Sequence, residues 1–145
     1  MIRHSQSATK LPLLVAIIDA DLSVRLSTAR IVQALGCRAA TFARVLEFLR
    51  SNQRDVACLV LDVTPPDLSG LTLQRWFAAT RRQTRFVFVS AVTTDCQRQC
   101  ALAAGAVEFL QRPVDEAVLI RAVQMALGRD STPATRGAAA PSPTA

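Results

Sequence analysis

The chain has 145 residues, half of them hydrophobic, a net charge of +6 and a mean hydropathy of +0.26. This length suits one domain rather than two, and the hydrophobic content excludes a wholly disordered chain. The single lysine and the single histidine, Lys10 and His4, both precede the first apolar segment. We therefore do not expect a Ser-His-Asp triad, a histidine-bearing zinc site, a Schiff-base lysine or a P-loop lysine in the folded part.

Short apolar segments alternate with segments of helical periodicity between two polar ends. Residues 1–11 are predicted to be a disordered tail, and residues 129–145, rich in Ala, Pro, Ser and Thr, a low-complexity tail or linker. Five apolar segments predict β-strands, and three of them are nearly unbroken, as expected for strands covered on both faces. The predicted strands are residues 13–18, 37–42, 56–61, 86–89 and 106–110.

Five helices are predicted, one after each strand. Asp21 or Ser23 can cap the first, the fourth covers residues 94–104, and Asp115 can cap the fifth. The residues expected to face inward are Val24, Thr28, Ile31 and Leu35 in the first helix, Val45, Leu46 and Leu49 in the second, Leu73, Trp76 and Phe77 in the third, and Ile120, Val123 and Leu127 in the fifth. Five alternating strands and helices predict an open, doubly wound α/β fold with a parallel sheet, since a barrel would need eight such units.

Polar residues follow four of the predicted strands. They are Asp19, Asp62, Ser90 and Arg112. Because the carboxyl ends of parallel strands lie at one edge of the sheet, we expect these side chains to converge there. The proline-containing loop after Asp62 can hold its carboxylate rigid and exposed, which suits a nucleophile or a metal ligand.

Each of these residues also has a purely structural interpretation, which the sequence leaves open. An aspartate such as Asp19 at a strand end often caps the next helix. Ser90 alone indicates little, Arg112 can be an ordinary surface residue, and Phe109 can be an ordinary core aromatic. The order of these residues along the chain is more specific than any one of them.

Four sequence motifs occur in order: VAIIDAD at 15–21, CLVLD at 58–62 followed by PDLSGL, VFVS at 87–90, and AGAVEFLQRP at 104–113. Together they resemble the receiver domain of two-component response regulators, the CheY-like superfamily, and most closely the receivers of helix-turn-helix transcriptional regulators. The resemblance covers residues 12–128, which we predict to be the receiver domain. It implies a flavodoxin-like (βα)5 fold with strand order 2-1-3-4-5.

The resemblance implies a phosphorylation switch in a phosphorelay. The four cysteines form no CxxC pair, which fits a reduced, cytoplasmic protein. The family aspartate that matches Asp62 takes a phosphoryl group from the phosphohistidine of a histidine kinase or phosphotransfer protein. Ser90 matches the switch hydroxyl and Phe109 the switch aromatic, while Arg112 stands where the family has lysine, before a peptide bond to Pro113 that is cis in the family. Such a domain is a signalling module and not an enzyme, apart from self-phosphorylation and self-dephosphorylation.

The resemblance also implies a Mg²⁺ site formed by Asp19, Asp62 and the backbone carbonyl of Thr64. Ala20 stands where the family has a second acid, so we expect weakened magnesium affinity. Arg112 has a longer, planar, forked head group, and two arrangements are open for it. It can pair with the phosphoryl group, or it can bridge to Asp62 or Asp19 and occupy the space of the ion.

Three functions therefore stay open. The first is an atypical receiver that accepts a phosphoryl group on Asp62. The second is a degenerate, phosphorylation-independent receiver that acts as a protein-interaction or dimerisation module. The third is a small enzyme, or a flavin or nucleotide binder, which is disfavoured because the five glycines are far apart and form no glycine-rich phosphate loop.

A homodimer through the fourth helix, the fifth strand and the fifth helix is the expected self-association. That surface carries Cys96, Cys100, Glu108 and Arg121. The two cysteines share one helix face and are interpreted as buried small residues, although a redox-sensitive surface is the alternative.

Neither nucleic acid nor a membrane is an expected partner. The only tight basic cluster is Arg81, Arg82 and Arg85, and no aromatic residue lies between these arginines. A solvated surface explains it better than a nucleic-acid site does. No apolar segment is long enough to span a bilayer.

Overall fold

The computed structural model describes residues 11–63, 83–91 and 94–129. Its elements are β1 Leu14–Ile18, α1 Leu22–Ala34, β2 Arg38–Phe42, α2 Val45–Arg50, β3 Val56–Asp62, β4 Arg85–Ser90, α3 Asp95–Ala103, β5 Glu108–Gln111 and α4 Glu116–Ala126. The predicted third helix and nearly all of both predicted tails lie outside the described residues. Helices α3 and α4 correspond to the fourth and fifth predicted helices.

The five strands form one parallel sheet in the order β2-β1-β3-β4-β5. The predicted open sheet and its strand order are confirmed. The order reverses beside β1, because the chain moves outward to β2 and then returns to place β3 on the other side. In such a sheet a crevice forms outside the carboxyl ends of the strands at the reversal, here between β1 and β3.

The central strands are buried because their sequences are apolar on both faces. Alternate side chains enter two core layers, one on each side of the sheet. One layer joins Leu59, Leu61 and Phe88 to α2 and α3. The other joins Val15 and Val60 to α1 and α4. Helices on both faces of the sheet confirm the doubly wound arrangement.

The ends of α1 form as the local sequence indicates. The side chain of Asp21 accepts hydrogen bonds from the backbone N–H groups of Ser23 at 2.9 Å and Val24 at 3.3 Å. Asp21 is therefore the cap, which decides between the two candidates left open by the sequence. After the helix, Gly36 adopts a φ of +83°, the left-handed conformation that commonly ends a helix.

Two details of the other helices differ from expectation. In α2 the predicted inward residue Leu46 is 50% exposed, and Phe48 is buried instead, against Phe42. Val45, Phe48 and Leu49 then form the inward face at helical spacing. In α4 Asp115 occupies the cap position, but its side chain makes no capping hydrogen bond.

The four cysteines are free thiols in two different environments. Cys37 and Cys58 are buried, and burial raises the pKa of the Cys58 thiol to about 12, with a smaller contribution from Cys37. Cys96 and Cys100 are exposed, so their interpretation as buried residues is wrong. The physical reason is that α3 contacts the core through Ala101, about 100° around the helix from Cys100.

Among the described helices, we find none with the length and apolar character needed to cross a membrane.

Candidate functional site

Asp19 and Asp62 lie side by side at the carboxyl edge of the sheet. Ile18 pairs with Leu61 in the β1–β3 register, so the residue after each of them comes to the same edge. The Asp19 side chain is 7% exposed and that of Asp62 is 15% exposed. The predicted convergence of these two carboxylates is therefore present at the reversal of strand order.

Hydrogen bonds of its backbone and of its side chain hold Asp19 in place. Its N–H donates to the carbonyl of Phe42 at 3.0 Å, and its carbonyl accepts from Nη1 of Arg25 at 2.8 Å. One carboxylate oxygen, Oδ1, accepts from the backbone N–H of Asp21 at 2.9 Å. Since Asp21 caps α1, Asp19 is not the helix cap, and its other carboxylate oxygen points to the site.

Arg112 bridges the two carboxylates. Its Nη2 donates to Oδ2 of Asp19 and lies 3.1 Å from Oδ1 of Asp62. Its backbone N–H donates to the carbonyl of Ser90 at 2.8 Å, and its peptide bond to Pro113 is cis. Of the arrangements considered from the sequence, the structure has the bridge, and Arg112 is not an ordinary surface residue.

The electrostatics of the bridge keep Arg112 charged. Partial burial lowers the pKa of the guanidinium, but the hydrogen bond to Asp19 and the charges of Asp19 and Asp62 outweigh burial and raise that pKa above its ordinary value. The contacts are thus charge-assisted hydrogen bonds in a partly desolvated setting. Removing one partner of such a buried pair typically costs about 3 kcal/mol or more, because the remaining charge is left uncompensated.

Ser90 and Phe109 lie on the two strands beyond Asp62. Asp62 pairs with Val89 in the β3–β4 register, which places the buried Ser90 one residue further along the same edge. Phe109 is 8% exposed, and its ring centroid lies 5.7 Å from that of Phe88. Ser90 is therefore near the carboxylates, whereas the ring of Phe109 packs in the core. Thr64 lies outside the described residues.

Sequence reasoning missed Arg25. This residue lies in the first turns of α1, and its guanidinium donates to the backbone carbonyls of Asp19 at 2.8 Å and Ala20 at 3.4 Å. No motif marks it, and the only available signal is an arginine six residues after Asp19 on a predicted helix. Arg25 brings a second cation to the loop that carries Asp19.

A cleft of about 650 Å³ opens beside the carboxylates. Asp19, Asp62 and Arg112 line one part of it, and apolar residues such as Ile31 of α1 and Leu119 of α4 line the rest. The charged groups are thus reachable from solvent through a cleft between these two helices.

The comparison with known families decides the family of this chain. Residues 15–124 match the sequence model of the response regulator receiver domain. The chain belongs to the response-regulator receiver family. The resemblance stated from the motifs is confirmed, and so is the place of this receiver in two-component signal transduction. Receiver domains of response regulators are signalling domains and generally not classical enzymes.

Similar proteins include a nodulation protein and a response regulator, each from a named bacterium. The receiver is 33% identical over 128 residues to nodulation protein W of Bradyrhizobium diazoefficiens, covering 88% of this chain and 56% of that protein. It is 33% identical over 112 residues to response regulator protein TmoT of Ectopseudomonas mendocina, covering 77% of this chain and 51% of that protein. The chain therefore spans about half the length of the curated relatives it matches.

Solved receiver structures share the fold. The BeF3-activated DrrB receiver domain superposes with a TM-score of 0.73 at 26% identity, covering 82% of this chain and all of that one. The response regulator StyR superposes with a TM-score of 0.71 at 31% identity, covering 81% of this chain and 60% of that one. These similarities agree with the observed strand order.

Receiver domains generally bind Mg²⁺ at the acidic pocket. In this receiver Asp19 and Asp62 offer carboxylate oxygens, the ligands that Mg²⁺ prefers, but each carboxylate also bonds to Arg112. Ala20 adds no ligand side chain, and the Asp21 carboxylate caps α1. Within residues 11–63, 83–91 and 94–129 no group of three or more metal-ligating side chains is assembled. The described residues fit the ion poorly.

Proposed function

We infer that this receiver accepts a phosphoryl group on Asp62, with a histidine kinase or phosphotransfer protein as donor, in the cytoplasm where response regulators typically act. The observation that carries the proposal is the placement of the Asp62 carboxylate. It lies at the carboxyl end of the central strand β3, lines the cleft and is partly exposed, with Ser90 on the neighbouring strand. Receiver domains interact with such donors as a class.

The transfer is a displacement at phosphorus. An Asp62 carboxylate oxygen attacks the phosphorus of the phosphohistidine, a P–O bond forms and the P–N bond breaks. The imidazole nitrogen keeps the electron pair and takes a proton from water. The product is an acyl phosphate on Asp62 and a neutral histidine on the donor.

Arg112 has two opposing effects on this transfer. Its guanidinium can donate two parallel hydrogen bonds to a phosphoryl group, which stabilises the charge that arrives. In the structure the same guanidinium is bonded to Asp62, so an oxygen of the nucleophile must be released before attack. We therefore expect phosphorylation to be slow. The Ser90 hydroxyl, at the adjacent strand end, is the proposed second donor to the phosphoryl oxygens.

Incubation with acetyl phosphate, followed by intact-mass measurement, tests this function. The wild type is expected to gain one phosphoryl group and Asp62→Asn none. Asp55→Asn is the matched control, since Asp55 is an exposed aspartate just before β3 with a φ of 59°, a conformation that asparagine also tolerates. A wild type that gains no phosphoryl group, or Asp62→Asn labelled as well as wild type, contradicts the proposal.

A phosphorylation-independent interaction module is the second candidate. It is favoured by the bridge itself, because Arg112 places the chain's own positive charge between Asp19 and Asp62. Receiver domains often dimerise. The proposed surface is α3, β5 and α4, which carries Cys96, Cys100, Glu108 and Arg121. Within it Glu108 already pairs with Arg98 at 3.6 Å.

Sedimentation equilibrium separates the two candidates. The second predicts a dimer in unmodified protein that Arg121→Glu weakens, because Arg121 is exposed on α4. Arg50→Glu, which reverses an exposed charge at the end of α2, is the control and should leave the dimer intact. A dimer that forms only after phosphorylation would favour the first candidate.

A further inference from the structure

We propose that the Arg112 guanidinium is a built-in counter-cation. It lies between Asp19 and Asp62, where a divalent metal ion would bind, and it excludes Mg²⁺ from the site. This inference deepens the proposed function, on which it rests for the role of Asp62. It concerns regulation of the site, since in a receiver of this kind the chain's own guanidinium offsets part of the negative charge of the acidic pocket.

One donor atom lies between the two carboxylates. A single nitrogen, Nη2, contacts one oxygen of each carboxylate, donating to Asp19 and lying 3.1 Å from Asp62. The two carboxylates belong to neighbouring strands and are joined through this atom. An ion that bound both oxygens would have to displace the guanidinium from both.

Backbone hydrogen bonds hold both sides of the bridge. The N–H of Arg112 is bonded to the carbonyl of Ser90, and the N–H of Asp19 to the carbonyl of Phe42. Asp19 is further bonded to the N–H of Asp21 through its carboxylate. Because the backbones of both residues and the Asp19 carboxylate are already positioned, little conformational entropy is lost when the bridge forms.

The local charge also disfavours a dication at this site. Two carboxylates and one guanidinium leave one net negative charge among the contacting groups. Ala20 adds none, and Arg25 places a further cation against the Asp19 backbone. A dication entering this site would be attracted by only one net negative charge and repelled by the guanidinium at short range, and this repulsion is screened less than on an open surface because the groups are partly buried.

Magnesium titration without any phosphodonor tests the inference. Magnesium affinity is measured by isothermal titration, and the thermal unfolding midpoint is recorded, for wild type, Arg112→Gln and Arg98→Gln. Arg98→Gln is the control, because it removes an equal charge from the surface pair with Glu108. We expect no magnesium-dependent rise in midpoint for wild type or Arg98→Gln. Arg112→Gln should bind Mg²⁺ at least about tenfold more tightly and rise in midpoint with magnesium.

A second variant covers the case in which Arg112→Gln does not fold. Arg112→Lys keeps the positive charge but replaces the planar fork by a shorter point charge, so it should also bind Mg²⁺ more tightly than wild type. If wild type binds Mg²⁺ as tightly as the folded Arg112 variants, the inference is overturned, whatever acetyl phosphate does. If the variants gain magnesium binding while wild type is never phosphorylated, the inference stands and the proposed function fails.

Discussion

Asp19 and Arg112 lie 93 residues apart in the chain and are joined by a hydrogen bond between their charged groups. Asp19 follows β1 and Arg112 follows β5, so the contact spans the edge of the two strands between them, β3 and β4. The same guanidinium also contacts Asp62 at the end of β3. The same pair of residues is therefore both part of the site and a link between distant segments of the sheet.

Asp19→Asn should destabilise the fold. Asparagine can still accept the hydrogen bond from the N–H of Asp21, but it removes the charge that faces Arg112. Arg112 still contacts the Asp62 carboxylate in this variant. We therefore expect the free energy of unfolding to fall by about 2 kcal/mol, which is less than the cost of leaving a buried charge with no partner. Urea denaturation measures this difference.

The control for this change is Asp95→Asn, which removes an exposed carboxylate from the first turn of α3. It should cost less than about 1 kcal/mol, as surface charges do. Equal stability of Asp19→Asn and wild type would contradict a stabilising role for the bridge.

Ala20→Asp should affect magnesium binding differently in two backgrounds. Ala20 is exposed, so an aspartate can be accommodated there and restores the second acid. With Arg112 present the guanidinium still competes, and we expect a small gain in affinity. With Arg112→Lys the gain should be larger, giving a coupling energy of at least about 1 kcal/mol in a double-mutant cycle.

Isothermal titration of the four proteins measures this coupling. Additive gains, with no coupling between the two positions, would mean that Ala20 and Arg112 influence the pocket independently.

Alkaline pH should destabilise the domain partly through Cys58. Burial raises the pKa of this thiol from 9.0 to about 12 in the folded state. Above about pH 9 the unfolded chain loses the proton while the folded chain keeps it, so the free energy of unfolding falls as pH rises toward 12. One such group contributes a slope of up to about 1.4 kcal/mol per pH unit.

Urea denaturation from about pH 8 to about pH 10 compares wild type with Cys58→Ala, whose slope should be flatter. Val60→Ala is the control, because Val60 lies in the same core layer and has no ionisable group. It should lower stability at every pH and leave the slope as in wild type. An unchanged slope in Cys58→Ala would show that the alkaline loss has another origin.

Thiol reactivity should divide the cysteines into two pairs. Cys96 and Cys100 are exposed on α3, whereas Cys37 and Cys58 are buried. Iodoacetamide at neutral pH should therefore modify Cys96 and Cys100 in the folded protein and all four residues in urea. Peptide mass spectrometry identifies the sites, and Cys96→Ser should remove one adduct from the native protein. Native labelling of Cys58 at a comparable rate would contradict its burial.

The sheet could be predicted from the sequence because each strand is marked by a short apolar segment. The segments that became β1, β3 and β4 are apolar almost without interruption, and such segments become strands covered on both faces. Alternation with helices then restricts the connections to a parallel, doubly wound sheet. Asp19 and Asp62 follow directly from the ends of β1 and β3, and their convergence needed only the topology.

Other features depended on tertiary contacts. Asp21 or Ser23 could cap α1, and only the hydrogen bonds of the folded chain assigned the cap to Asp21. In α2 the choice between Leu46 and Phe48 as the inward residue depended on the ring of Phe42 across the interface. The exposure of Cys96 depended on how little of α3 touches the core, which helical periodicity does not report.

The partners of the Arg112 side chain could not be predicted from the local sequence. The sequence by itself determined that an arginine follows β5, that aspartates follow β1 and β3, and that Ala20 removes an acid. Whether Arg112 would face solvent, a phosphoryl group or the two carboxylates was decided by the tertiary structure. Its side chain is long enough for each of these, and the backbone contacts of Arg112 with Ser90 and of Asp19 with Phe42 bring the charges within bonding distance.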